Sequence, residues 1–218
     1  MHARTKPRTD PYVWATWISK LLAGESSCVW SAWFRAHHHV GAKVETDFDL
    51  ELWRVEHTAL IRRTAADFAS LGYTVTVESQ NQFTLAGRLG TLAGRPDLVA
   101  VKGDEGWIID GKTGQPKGSD RVQVMLYMWA LQKANPAYAG VRFRGRVEYK
   151  ARYGIIDPGE ADTAFVTRVA GLMREVCGPN EPRKAPSYRE CQSCPLTPDD
   201  CGDRVDTEAI FAGVTEEF

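Results

Sequence analysis

Residues 94–114, GRPDLVAVKGDEGWIIDGKTG, constrain the fold more than any other stretch of the chain. Leu98, Val99, Ala100 and Val101 form a short apolar run that ends at Lys102-Gly103-Asp104-Glu105-Gly106, a turn signal. Trp107, Ile108 and Ile109 open a second run, so the stretch reads as strand, tight turn, strand: a β-hairpin. Side chains alternate along a strand, which puts Asp110 and Lys112 on one side and Gly111 on the other. Folding the hairpin about Asp104 brings Asp97 opposite the Asp110–Gly111 step. Two carboxylates and a lysine then meet at the end of an otherwise apolar hairpin. Carboxylates that close repel, and one must protonate or find a cation. A bound Mg²⁺ or Mn²⁺ resolves the conflict, because hard ions take oxygen ligands. A surface hairpin with an ordinary Asp–Lys pair is the plainer alternative.

The flanking sequence predicts a sheet with helices around it. Residues 12–22 read as an amphipathic helix ended by Gly24, and Ser26-Ser27 as the cap of a second helix through Cys28, Trp30, Trp33 and Phe34. The run His37-His38-His39 is read as surface, since adjacent side chains rarely converge on one ion. Residues 45–52 are acidic and mixed. Residues 50–71 follow a helical period, with Leu52, Val55, Leu60, Ile61, Ala65, Phe68 and Leu71 near one broad face and Gly72 as the stop. His57 lies in that helix, with Trp53 four residues before it on the same side. Residues 73–78 and 83–85 alternate as strands, and 89–93 leads into the hairpin, giving a sheet of at least three strands.

After the hairpin, Asp120 is placed to cap a helix over 121–133, on which Gln123 and Tyr127 share a face. Residues 141–153, VRFRGRVEYKARY, read as one strand. One side is apolar, and the other carries Arg142, Arg144, Arg146, Glu148, Lys150 and Arg152. Like charges in a row repel, and a polyanion would offset them. Residues 163–176 read as a last amphipathic helix. The whole is a mixed α/β (α+β) pattern.

Composition bounds the function classes. The 218 residues are 43% hydrophobic and 25% charged, an ordinary globular mixture for one domain or one domain with a cap. No apolar run approaches the length of a membrane span. The N-terminus is basic without the apolar core of a signal peptide, so a cytoplasmic location is expected. The net charge of −1 points to no partner by itself. A nucleic-acid binder of this composition must gather its positive charge locally.

Five cysteines complete the reading: Cys28, Cys177, Cys191, Cys194 and Cys201. Three of them fall in CQSCPLTPDDC, residues 191–201. In a cytosolic chain that density signals metal rather than disulfides. Zinc and an iron–sulfur cluster each need four such ligands, so a fourth must come from elsewhere, Cys28 or Cys177.

Taken in order, these pieces resemble the PD-(D/E)XK nuclease superfamily, and within it the Cas4 and RecB-like group, from about Tyr12 to Arg204. The matching residues are a helical histidine (His57), Gly94-Arg95-Pro96-Asp97, Asp110-Gly111-Lys112, and Gln123 with Tyr127 in a QxxxY pattern. Cys28, Cys191, Cys194 and Cys201 match the group's cysteine pattern. Two positions depart from it. Trp53 stands where a glycine usually precedes the motif histidine, and Asp110 stands where Cas4 proteins commonly carry Glu.

The resemblance implies a restriction-endonuclease-like core, a mixed β-sheet flanked by helices. It implies an N-terminal helical region (1–49), a nuclease core (50–176) and a C-terminal cluster tail (177–218). It implies a Mg²⁺ or Mn²⁺ held by His57, Asp97, Asp110 and the Gly111 carbonyl, with Lys112, Gln123 and Tyr127 completing the catalytic set. It further implies a 4Fe-4S cluster on Cys28, Cys191, Cys194 and Cys201, with Zn²⁺ as the alternative occupant and Cys177 left structural. The expected activity is exonucleolytic hydrolysis of DNA, mainly single-stranded, in CRISPR spacer acquisition with Cas1 and Cas2. A stand-alone or phage-encoded RecB-like repair nuclease carries the same residues, and a non-catalytic DNA-binding scaffold could keep the fold.

Overall fold

The computed structural model describes residues 5–41, 44 and 48–208. Two short strands open the chain, β1 (Lys6–Pro7) and β2 (Tyr12–Trp14), followed by helices α1 (Ala15–Leu22) and α2 (Val29–His37). Strand β3 (His38–His39) precedes the long helix α3 (Leu50–Ser70). Strands β4 (Thr74–Val77), β5 (Phe83–Ala86), β6 (Thr91–Gly94), β7 (Leu98–Lys102) and β8 (Glu105–Lys112) come next. Helix α4 (Gly118–Ala134), strands β9 (Arg142–Tyr149) and β10 (Tyr153–Ile156), and helices α5 (Thr163–Cys177) and α6 (Tyr188–Gln192) complete the order.

The main sheet runs β10-β9-β8-β7-β4. It is mixed: β8 pairs antiparallel with β7 and parallel with β9. Strands β7 and β8 are the expected hairpin, with Lys102 opposite Glu105. Gly103 has φ +62°, which suits the first central position of a two-residue turn matched to the strand twist. Both faces of β7 and β8 are covered, hence their near-continuous apolar sequence. Val99, Ile108 and Val147 join α4, α1 and α5 in the larger core, while Leu98, Ala100 and Ile109 pack with Phe68 of α3 on the other face. The hairpin is therefore sandwiched between α3 and α4. Among the described residues no helix is long and apolar enough to cross a membrane.

Several local expectations need correction. Tyr12–Trp14 is a strand parallel to β6, not helix; its partner lies far along the chain, where local periodicity carries no signal. Strands β5 and β6 belong with β2 in a separate three-stranded sheet, so of the strands expected beside the hairpin only β4 joins it. The stretch 141–153 is two strands: the chain reverses after Tyr149, whose N–H bonds the Arg152 carbonyl. Leu52, Val55 and Leu71 are exposed, because Leu60, Ile61 and Phe68 at the middle of α3 make its sheet contact. Helix α4 starts at Gly118, and Asp120 reaches back to accept from the Lys117 N–H at 3.0 Å. Ser26 and Ser27 do not cap α2; they bind Glu190 of the C-terminal segment at 2.7 and 2.9 Å. His38 and His39 form β3 against β1, and His38 stacks on Phe34, so the histidine run is built into the fold. The acidic stretch 45–52 lies partly outside the described residues.

Candidate active site

Strand alternation delivers the site. Asp110 lies two residues from Ile108 and points to the α4 side, where it is 2% exposed. Lys112, two further on, follows it, and its Nζ lies 2.5 Å from Asp110 Oδ2. Gly111 faces the other way, where a Cβ would meet Ile61 Cδ1 at 2.7 Å and His57 Nε2 at 3.4 Å. That close approach lets α3 bring His57 against the strand end. Leu98 pairs with Ile109, so Asp97 falls beside the Asp110–Gly111 step as expected. Asp97 Oδ2 accepts the Gly111 N–H at 2.8 Å and bonds His57 Nε2 at 3.1 Å.

Helix α4 supplies the remaining pair. The Gln123 amide nitrogen donates to Asp110 Oδ1 and contacts the Tyr127 hydroxyl, each at 2.9 Å. Its carbonyl oxygen accepts from Lys112 Nζ at 3.1 Å. Gln123 thus ties Asp110, Lys112 and Tyr127 into one network, and the i, i+4 spacing aims both α4 side chains at it. All the residues expected at this site converge: His57, Asp97, Asp110, Gly111, Lys112, Gln123 and Tyr127 line one cleft of about 800 Å³.

The electrostatics are opposed rather than relaxed. Burial pushes the Asp110 carboxyl up to about 6 against the attraction of Lys112. Burial would lower the Lys112 ammonium, but the Asp110 carboxylate outweighs it and the net shift is upward. The hydrogen bond to Asp97 raises His57 despite burial. Burial, then the Asp110 charge, hold the Tyr127 hydroxyl protonated.

Among the described residues no three His, Cys, Asp or Glu groups gather around a common point. The two carboxylates contact Lys112 and His57 instead. Asp110 Oδ2 is buried, and the group beside it is the Lys112 ammonium at 2.5 Å. A buried carboxylate beside a second carboxylate suits a hard divalent ion.

The cleft also holds residues that sequence reasoning missed: Arg8, Trp14, Trp17, Arg35, His38 and Arg95. Arg95 sits two residues from Asp97 and was legible in the hairpin. Arg8, Arg35 and His38 come from the N-terminal elements, and only the fold joins them to the cleft. Three of the five cations in the expected phosphate row over 142–152 make internal pairs. Arg142 meets Asp104, Arg146 meets Glu148, and Lys150 meets Glu56. Local carboxylates relieve the repulsion that seemed to call for a polyanion.

Beside α1 and α2, Cys28, Cys191, Cys194 and Cys201 line a cavity of about 120 Å³. Cys177 does not line it, and burial pushes its thiol up to about 11. Arg35 and Trp17 line both this cavity and the cleft.

No curated protein matches the sequence. The crystal structure of SSO0001 is similar at 15% identity and a TM-score of 0.47, over 87% of this chain and 85% of that one, a likeness too distant to carry an argument. The family model of the PD-(D/E)XK nuclease superfamily matches residues 10–198. Nearly the whole described chain is within that match, and the chain belongs to the PD-(D/E)XK nuclease superfamily.

Proposed function

We propose that the protein is a Mg²⁺- or Mn²⁺-dependent deoxyribonuclease of Cas4-like type, cutting single-stranded DNA from an end. The observation that carries the hydrolytic part is the buried Asp110 carboxylate set beside Asp97 and Lys112 at the end of the hairpin. Asp97, Asp110, His57 and the Gly111 carbonyl would hold the ion. When bound, such an ion polarises the scissile phosphate and lowers the pKa of a water.

The chain's own groups do the rest. Lys112, which lines the cleft beside Asp110, would orient water and offset the charge that builds on the phosphate. Gln123 fixes Lys112 and Asp110 relative to each other through its two amide atoms. Tyr127, protonated and bonded to Gln123, holds that amide in place. Arg8, Arg35 and Arg95 add positive charge along the cleft for the DNA backbone.

The Cas4-like part rests on the cysteines. The four that line the common cavity are the four the resemblance requires, and the fifth lies outside it. A 4Fe-4S cluster and a single Zn²⁺ both take four such ligands, and the cavity of about 120 Å³ between these cysteines is where either would sit, with Zn²⁺ the alternative occupant. That reading brings Cas1 and Cas2 and spacer acquisition with it, as partners and purpose implied by the resemblance.

The test is digestion of end-labelled DNA with Mn²⁺ or Mg²⁺. The wild type should degrade single strands, and Lys112→Ala should be about 10²–10³-fold slower while keeping its circular dichroism. Cleavage by Lys112→Ala at the wild-type rate would remove the role given to Lys112. No cleavage by the wild type would leave the scaffold reading.

A further inference from the structure

The mouth of the cleft carries rings that the reaction does not use. Trp53 stacks on His57 with centroids 4.8 Å apart and planes 22° from parallel. Phe48 lies beyond it, its centroid 6.4 Å from that of Trp53 and its plane tilted by 54°. Both rings line the cleft, and Phe48 is 59% exposed. Phe48 precedes Asp49, which caps α3, and Trp53 is the fourth residue of that helix. They occupy the two positions of a hydrophobic staple. A staple explains why the rings meet. It does not explain why they stand over His57 at the cleft mouth with one of them open to solvent.

The rest of the lining supplies the reason. Arg8, Arg35, Arg95 and Lys112 make the cleft cationic. Cations interleaved with open aromatic faces suit unpaired nucleic acid: the phosphates pair and the bases stack. A base held between two rings needs them roughly 7 Å apart, twice the ~3.4 Å rise per base. The Phe48 and Trp53 centroids stand 6.4 Å apart with planes 54° from parallel, so Phe48 must swing parallel to Trp53 to open a slot for a base.

We propose that Trp53, with Phe48 as its movable partner, is the stacking station for the unpaired base beside the scissile phosphate. The site then reads the presence of a base and not its identity. Trp53 is then a specificity residue of this chain. The proposal rests on the nuclease reading above.

The experiment uses single-stranded oligonucleotides in which one abasic residue is stepped along the strand. Wild-type cleavage should slow by roughly five- to a hundredfold when the abasic residue occupies the station, and at no other position by as much. Trp53→Ala should cut abasic and intact strands at one common rate, lowered through KM more than through kcat. Trp53→Phe should restore the dependence. Because the comparison is a ratio within each variant, a small loss of folded protein does not move it. Wild-type cleavage indifferent to the abasic position would overturn the proposal, as would Trp53→Ala keeping the wild-type ratio. If the wild type cuts nothing, the nuclease reading fails. The station is then read from fluorescence anisotropy of labelled intact and abasic strands, where equal binding to both overturns it.

Discussion

Burial and charge pull Asp110 in opposite directions, and the balance makes a pH prediction. Its carboxyl rises from the ordinary 3.8 to about 6 because burial outweighs Lys112. Between those values the folded chain holds a proton that the unfolded chain has released, so stability falls as pH rises from about 4 to about 6. His57 has the same sign. Its raised value means that its contribution is complete below the ordinary 6.5 and is lost as pH climbs through the folded value. The metal-free wild type should therefore lose Tm relative to Asp110→Asn as pH goes from 4 to 6, measured by calorimetry in a chelator. A Tm difference independent of pH would contradict the account. The same conflict stores the capacity to bind a cation at neutral pH, since an ion in the cleft removes the cost of ionising Asp110.

At the scale of elements, the hairpin and α4 were legible because their signals are short-range. Period two put Asp110 and Lys112 together and Gly111 opposite, and the turn at Gly103–Asp104 set Asp97 against them. Spacing of four put Gln123 with Tyr127. What the sequence hid was long-range or purely local to the packing. Strand β2 is defined by a partner at residues 91–93, and the break after Tyr149 falls at Lys-Ala-Arg, with no glycine or proline to mark it. The charge row on β9 looked unbalanced because Asp104 and Glu56 lie on other elements. Gly145 shows how tightly the layers fit. A Cβ there would meet Val124 Cγ1 at 2.6 Å, Met128 Sδ at 2.8 Å and Ile156 Cβ at 3.0 Å. Gly145→Ala should thus push α4 off β9, cost about 1–3 kcal/mol in chemical denaturation, and disturb Gln123 on the same helix. A variant as stable as the wild type would mean that α4 yields more easily than its packing indicates.

At the scale of the whole molecule, the N-terminal elements and the segment 178–200 are joined by direct hydrogen bonds. Glu190 binds Ser26 and Ser27, Trp33 Nε1 donates to the Gly178 carbonyl at 2.9 Å, and Thr5 donates to Asp200 at 2.8 Å. Cys28 from the N-terminal region and Cys191, Cys194 and Cys201 from the tail face one cavity within that seam. We propose 1–49, 50–176 and 177–218 as functional regions, with Val13 and Ile18 of the first and Cys177 of the last sharing the main core. Protein purified without air should show a broad band near ~400 nm and about four irons per chain, and Cys191→Ser should lose both together with thermal stability. A colourless protein with about one zinc would withdraw the Cas4-like reading and keep the nuclease cleft.

The central claim is that Asp97 and Asp110 form a divalent-ion site. Titration calorimetry of Mn²⁺ into the wild type and Asp110→Asn, both at pH 7.5, tests it most directly. The account predicts about one ion per wild-type cleft and binding weakened at least tenfold, about 1.4 kcal/mol, in Asp110→Asn. Equal Mn²⁺ affinity in the two proteins would contradict it.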